Sequence, residues 1–179
     1  MGETDQQTAI IRQLFDEYAD SLYRYAKYSL PPDIDARDVV QEVFLRAFRS
    51  WHGFQGQSSA KTWLYQIARN HIYDLLRKKR RERTHTETHV VFDGVTNMET
   101  LIELEDALSR LQPSHREVLN LRWLQDMSIA EVSEVLGWSE SKVRVTFHRA
   151  KHKLREMLRD VDDVRQTPTH GGETVHGKR

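Results

Sequence analysis

Six side chains that can bind nucleic acid lie within residues 142–151 of this 179-residue sequence. They are Lys142, Arg144, Thr146, His148, Arg149 and Lys151. Lysine and arginine contact phosphates, and arginine can also donate two hydrogen bonds to the edge of a guanine. The chemistry that this stretch predicts is noncovalent recognition of DNA.

The residues around this stretch predict a helix, a turn and a second helix, with the six side chains on the second helix. Apolar residues recur at helical spacing in the first helix, at Ile129, Val132, Val135 and Leu136. Gly137 stands where the turn needs a positive φ, Ser133 is small where two helices cross, and Ser139 can cap the second helix. Trp138 and Val143 would then fill the space between the helices and leave the six side chains outside. An ordinary helical hairpin with a solvated basic face is the alternative.

The formal net charge of the whole sequence is +0, whereas a protein that binds nucleic acid is expected to carry an excess of positive charge. The charges are, however, distributed unevenly along the sequence. Residues 61–83 contain eight Lys and Arg against two acids, and residues 142–159 contain seven against one. Between them, residues 84–109 carry six acids and no Lys or Arg. Two basic surfaces separated by an acidic connector predict two DNA-contacting modules, with solvated helix faces as the alternative for either block alone.

Composition excludes several other classes. The sequence has no cysteine, so disulfides and thiolate metal sites are not available, as fits a reducing cytosol. No apolar run approaches the roughly 18 residues of a membrane span, and the polar, acidic start MGETDQQ does not resemble a secretory signal. We therefore expect a cytoplasmic protein.

Apolar periodicity predicts an all-α chain with two small helical domains. Helices at 7–29, at about 35–51 and from about 61 form the first domain, residues 7–82. The stretch 83–97 loses periodicity and predicts a flexible linker. A helix from about 98 to 111, a helix that Pro113 opens and the helix-turn-helix form the second domain, residues 98–158. Residues 159–179 contain too few apolar residues to fold alone and predict a disordered tail.

These elements resemble, in order and spacing, the extracytoplasmic-function group of bacterial sigma factors. The resemblance covers roughly residues 8–158 and rests on DVVQEVFLRAF, KTWLYQIARN, the basic run after it, LxxLxPxxREVLxLR and the helix-turn-helix. The phrases SSAKTWL and WSESKVR are similar to cell-envelope members of the SigX type. The resemblance implies a stress-response sigma factor that joins core RNA polymerase and directs promoter-specific transcription initiation. The first domain would be sigma region 2 and the second sigma region 4.

The resemblance also implies a role for individual residues. Asp38, Gln41, Glu42 and Arg46 would dock on the clamp helices of the largest polymerase subunit, although a solvated helix face would look the same. The residues implied in recognition and melting of the −10 element are Lys61, Thr62, Trp63, Tyr65, Arg69, Asn70, Arg77 and Lys78. Trp63 is equally suited to packing in the core. The loop 53–60 would hold a flipped base beside Asn70.

The second domain would read the −35 element and contact the polymerase flap. Arg144 and Arg149 match family positions that enter the major groove, with Lys142, Thr146, His148 and Lys151 beside them. Val145 and Thr146 stand where many relatives carry a small polar residue and an arginine, which leaves the −35 sequence open. The family further implies an anti-sigma factor, often membrane-bound, as a partner. Because the linker lets the domains rearrange, we expect a compact free protein that binds DNA weakly.

An enzyme is not expected, nor a cofactor or a bound metal. His148 and His152 lie four apart, but no glutamate follows His148 as a zinc protease would need, and no phosphate-binding glycine loop is present. Two other binding classes stay open. A dimeric helix-turn-helix regulator would need a dimerisation surface that the sequence does not reveal. An RNA-binding adaptor would use the basic run 77–81 and depend on 2′-hydroxyl contacts.

Overall fold

The computed structural model describes residues 3–54, 56–82, 104 and 106–166, with side chains described from residue 4 to residue 159. Throughout these residues every regular element is a helix, which confirms the all-α prediction. The predicted linker 83–97, most of the helix predicted at 98–111 and residues 167–179 lie outside the described part. Within 98–111, residues 106–110 are helical.

Three long helices build the first domain. Helix α1 spans Glu3–Ser29, α2 spans Ala36–Ser50 and α3 spans Ala60–Glu82, with a 3₁₀ turn at Trp51–Gly53 after α2. The Asp35 carboxylate accepts a hydrogen bond from the amide of Arg37 and so caps α2 at its predicted start.

The inner face of α2 is the one that its periodicity predicts, and its buried residues are Ala36, Val39, Val40, Val43, Phe44 and Ala47. The apolar residues of α1 are buried less completely. Leu14, Leu22, Tyr25 and Ala26 are buried, whereas Phe15 remains 44% exposed and meets Phe44 only edge-on.

In the second domain, four helical segments follow residues 106–110. Helix α4 spans Pro113–Leu119 and has proline in its first turn, as predicted. It continues into a π-helical turn, Asn120–Leu124, which the sequence did not predict. Helices α5 (Ile129–Leu136) and α6 (Glu140–Gln166) complete the domain.

Helix α6 continues beyond residue 159, where we predicted a disordered tail. An existing helix gains one backbone hydrogen bond per added residue, so it can extend with little apolar content.

The two domains pack on one another. Helix α3 contacts α5, and α1 contacts the π-helical turn. The buried residues of α1, α2 and α3 form one apolar cluster with residues of the second domain, namely Val118, Leu121, Met127, Val132, Val135, Leu136 and Val143. A separate cluster of Ala107, Leu108, Leu111, Leu119, Ala150 and Leu154 holds α6 against α4.

Candidate nucleic-acid interface

The turn of the helix-turn-helix has the geometry that its residues predict. Gly137 adopts φ 64°, in the left-handed region that glycine enters without strain. The hydroxyl of Ser133 donates to the carbonyl oxygen of Trp138 at 2.5 Å, which ties the first helix to the residue after the turn. The hydroxyl of Ser139 accepts from the amide of Lys142 at 3.3 Å and caps α6.

Helix α5 is fixed at its start by a reciprocal cap. The Ser128 hydroxyl accepts from the amide of Glu131, while the Glu131 carboxylate accepts from the amide of Ser128. Burial acts to raise the pKa of Glu131, but these hydrogen bonds outweigh it and the pKa is lowered. The cap therefore keeps its charge and holds the helix that supports α6.

Helix α6 buries one face and exposes the other. Val143 and Ala150 are fully buried and Leu154 nearly so, and these anchor the helix on its domain. On the opposite side the predicted DNA-binding residues Lys142, Arg144, His148, Arg149 and Lys151 are exposed, and Thr146 is half-buried.

The polar contacts of this outer face lie within its own domain. The Lys142 ammonium lies 4.0 Å from the centre of the Trp138 ring, and Arg144 pairs with Glu140 one turn earlier at 2.6 Å. Such exposed pairs contribute little to stability and are easily exchanged for a phosphate or a base. The outer face of α6 is thus open to a ligand as it stands.

The face of α3 that carries the predicted −10 residues is mostly covered. Lys61 and Arg69 are half-buried, and Tyr65 is fully buried. Thr62 is also buried, with its hydroxyl 2.9 Å from that of Ser59. The structure therefore leaves Asn70, Arg77 and Lys78 as the exposed members of the predicted set on this helix.

Trp63 belongs to an aromatic cluster at the start of α3. Its ring centre lies 4.7 Å from that of Phe54 and 5.9 Å from that of Trp51. All three residues are half-buried, so the cluster packs on the domain and still presents aromatic surface beside the loop that precedes α3. Packing and stacking on a base are compatible here, because a half-buried ring can do both.

The outer face of α2 carries the residues predicted to bind polymerase. Asp38 and Gln41 are exposed, whereas Glu42 and Arg46 are half-buried and joined by a 2.7 Å ion pair. That pair lowers the pKa of Glu42.

The surface of α2 also includes two apolar residues that were not predicted, Leu45 and Phe48, which are 51% and 36% exposed. Leu45 lies between the buried Phe44 and Ala47, a position that could have marked it as exposed, whereas the spacing of Phe48 gives no such signal. Exposed apolar side chains among charged ones are typical of protein contact surfaces.

The burial of Asn120 and Gln125, two amide side chains between the domains, was also not predicted. Asn120 is 2% exposed and Gln125 is 5% exposed. Both belong to a short stretch that reads as an ordinary helix end, and no local pattern marks an amide whose partners come from another domain.

The described residues form neither a metal site nor a membrane-spanning helix. No three His, Asp or Glu side chains there lie close enough together to hold a metal ion. None of the described helices is long and apolar enough to cross a membrane.

Family comparisons cover both domains. Residues 14–82 match the family described as Sigma-70 region 2, and residues 101–154 match the one described as Sigma-70, region 4. The chain is 36% identical over 171 residues to the ECF RNA polymerase sigma factor SigX of Bacillus subtilis (strain 168), covering 85% of this chain and 88% of that protein.

Two solved structures share the fold. The sigma factor RpoE in complex with the anti-sigma factor NepR from Bartonella quintana has a TM-score of 0.73 and 24% identity, covering 83% of this chain and 96% of that one. CnrH in complex with the cytosolic domain of CnrY has a TM-score of 0.68 and 26% identity, covering 89% and 96%. Together with the two region matches and the identity to SigX, these findings show that the chain belongs to the extracytoplasmic-function group of the sigma-70 family of RNA polymerase sigma factors.

Proposed function

We propose that this sigma factor binds core RNA polymerase and directs it to promoters whose −35 element is read by α6. The observation that carries the proposal is the arrangement of α6, which buries Val143 and Ala150 and turns its basic and polar residues outward. Arg144 and Arg149 would donate to guanine edges, and Lys142 and Lys151 would bind phosphates. Thr146 and His148 lie between them.

The −10 element would be recognised and melted by α3 and the loop before it. Asn70 and the aromatic cluster around Trp63 supply a polar group and a stacking surface for an unpaired base. The exposed Arg77 and Lys78 would bind phosphates further along α3. Lys61, Thr62, Tyr65 and Arg69 complete the proposed set. The functional groups of Lys61, Tyr65 and Arg69 contact the second domain, so these three residues need a different arrangement of the domains to reach DNA.

Polymerase would bind on α2. Charged and polar groups at Asp38, Gln41, Glu42 and Arg46 would fix the register of the contact, with Leu45 and Phe48 as its apolar centre. The flap of the polymerase would contact the second domain. The protein would act in the cytoplasm as a recruitment factor, leaving nucleotide chemistry to the polymerase.

An anti-sigma factor is the proposed regulator. The solved structures of RpoE and CnrH show relatives of this fold bound to NepR and to the cytosolic domain of CnrY. A partner that held the two domains of this chain together would keep α3 covered.

The function can be tested with sigma-free core polymerase, the purified chain and a pool of random promoter fragments, by sequencing the 5′ ends of the RNA. We expect discrete starts downstream of a shared two-part motif, lost in the Asn70→Ala variant. Absence of starts, together with no association with core polymerase, would contradict the proposal and favour a self-sufficient helix-turn-helix regulator.

A further inference from the structure

The second domain contains a cavity of about 360 Å³ between residues 110–115 and one side of α6. This volume lies within the range of about 300 to 1,000 Å³ that is typical of sites for small molecules. The proposed function uses only two of the residues that line the cavity. The basic residues of its wall are Arg110, His115, His148, Arg149, His152 and Lys153.

The charge of the cavity wall is strongly unbalanced. Three arginine and lysine side chains and three histidines line it, and Glu156 is the one carboxylate among the lining residues. That carboxylate is already occupied. It accepts a hydrogen bond from Lys153 at 3.2 Å, and its other oxygen lies 3.4 Å from Nδ1 of His152. The cavity therefore keeps an excess of positive charge that an anion would neutralise.

The cations of the wall are free to turn toward a ligand. Arg110 pairs with Asp106 at 2.8 Å, and the two side chains are 68% and 51% exposed. The side chain of Lys153 is 54% exposed. Because exposed ion pairs contribute little free energy, exchanging them for a phosphate costs little. Arginine can bind two phosphate oxygens at once, and lysine adds a compact charge.

One part of the wall is apolar. Leu111 is buried and Met157 is half-buried, and both line the cavity beside the histidine rings. A flat ring could pack on these apolar side chains and stack on an imidazole or a guanidinium group. A phosphate group alone would leave this part of the wall unused. The lining therefore favours a ligand that carries both phosphate groups and a ring.

We propose that this cavity is a binding site for a small phosphate-bearing molecule of the nucleotide class. Its phosphates would lie between Arg110, Arg149 and Lys153, and its ring against the apolar part of the wall. Because His148 and Arg149 also belong to the proposed −35 surface, the nucleotide and DNA would compete for them. The competition rests on the proposed function, whereas binding of the nucleotide does not.

Isothermal titration calorimetry of the full-length chain tests the site with three probes, which are adenosine diphosphate, inorganic pyrophosphate and adenosine. We expect the diphosphate to bind, pyrophosphate to bind more weakly because it lacks the ring, and adenosine not to bind measurably. The double variant Arg110→Gln/Lys153→Gln should bind adenosine diphosphate about tenfold more weakly, because charge-assisted contacts are lost. His115→Glu, which adds a carboxylate to the wall, should weaken binding by a similar factor.

The matched control is Arg155→Gln/Arg159→Gln. It also removes two positive charges, but from exposed positions on α6 that do not line the cavity. Its affinity for adenosine diphosphate should fall less than about twofold, because only screened surface charge changes. Circular dichroism establishes that each variant is folded.

A fluorescent random-sequence duplex tests the competition with DNA. Adenosine diphosphate should displace the duplex from the wild type at concentrations that leave it bound to Arg110→Gln/Lys153→Gln. Without nucleotide, this variant and the control should bind the duplex with affinities that agree within about twofold, because both have lost two charges.

The outcomes separate this inference from the proposed function. Weaker binding of adenosine diphosphate in the cavity variants but not in the control supports the site even if the transcription assay finds no starts. Equal affinities in cavity variants and control, or adenosine binding as tightly as its diphosphate, would overturn it. No nucleotide binding by the wild type, with a loss of duplex affinity confined to the cavity variants, would also overturn it and assign the cavity to a phosphate of the DNA backbone.

Discussion

The two basic helices of this protein carry similar chemistry but differ in their accessibility. The outer face of α6 is exposed, and Arg144 pairs there with a neighbour on its own helix. On α3, Arg69 is largely buried and pairs with Glu117 of the other domain. A basic helix is therefore not by itself an available binding surface. What packs against the helix decides whether its cations can reach a ligand.

The two helices also differ in what anchors them. Helix α6 is held by apolar residues on its inner face, and its polar residues are left for a ligand. Helix α3 is also anchored by apolar residues, but part of its polar face donates hydrogen bonds to Gln125 of the second domain. The polar groups of α3 are therefore shared with another domain, whereas those of α6 stay within their own.

The largest expected effect comes from placing a charge on the inner face of α6. Val143→Asp would bury an unpaired carboxylate where the side chain is now fully buried, and should lower the free energy of unfolding by about 3 kcal/mol or more. Val145→Asp, two residues on, is the matched control because Val145 is 49% exposed, and it should change the value by no more than about 0.5 kcal/mol. Urea denaturation measures both. Equal effects would contradict the orientation of α6.

The second-largest effect is expected on the outer face of α6. Arg144→Ala should remove about 1 to 3 kcal/mol of discrimination between the −35 element and a scrambled sequence, because an arginine that donates to a guanine edge would be lost. Transcription from matched promoters measures the discrimination, and core polymerase affinity is the control. An equal loss of polymerase affinity would count against a DNA-reading role for Arg144.

A smaller effect is expected on α2. Phe48→Ser should weaken binding to core polymerase by about 1 to 2 kcal/mol, because an exposed apolar side chain would be lost from the proposed contact. Tyr23→Ser is matched for exposure, at 37% against 36%, and lies on α1 outside the proposed surface. It should leave the affinity unchanged. Similar losses in both variants, measured by fluorescence anisotropy, would remove α2 as the specific contact.

The smallest effect is expected for a substitution in the turn before α6. Gly137→Ala should lower the free energy of unfolding by about 1 kcal/mol, because alanine is strained at φ 64° although no atom lies within 4 Å of the added methyl group. Gly53→Ala also meets no atom within 4 Å, and Gly53 lacks the positive φ. It should be nearly neutral. Equal stabilities of the two variants would contradict the left-handed turn.

Local patterns in the sequence predicted most of the helical architecture. The inner face of α2, its start near Asp35, the proline that opens α4 and the glycine turn before α6 each depend on residues close together in the chain. The burial of Tyr65, Asn120 and Gln125 could not be predicted in the same way. Their partners in the other domain lie 60 or more positions away, and nothing local distinguishes a covered polar face from a solvated one.

The distance between the two domains, measured in the free protein and in the polymerase complex, tests most directly whether α3 is covered until the polymerase is bound. Because the sequence has no cysteine, Asp20→Cys on α1 and Arg155→Cys on α6, both exposed, can carry a pair of spin labels without further changes. We predict one narrow distribution of distances for the free protein that fits the packed arrangement, and a shift to longer distances when core polymerase is added. A free protein that already shows long or broad distances would contradict the claim that α3 is covered until the polymerase is bound.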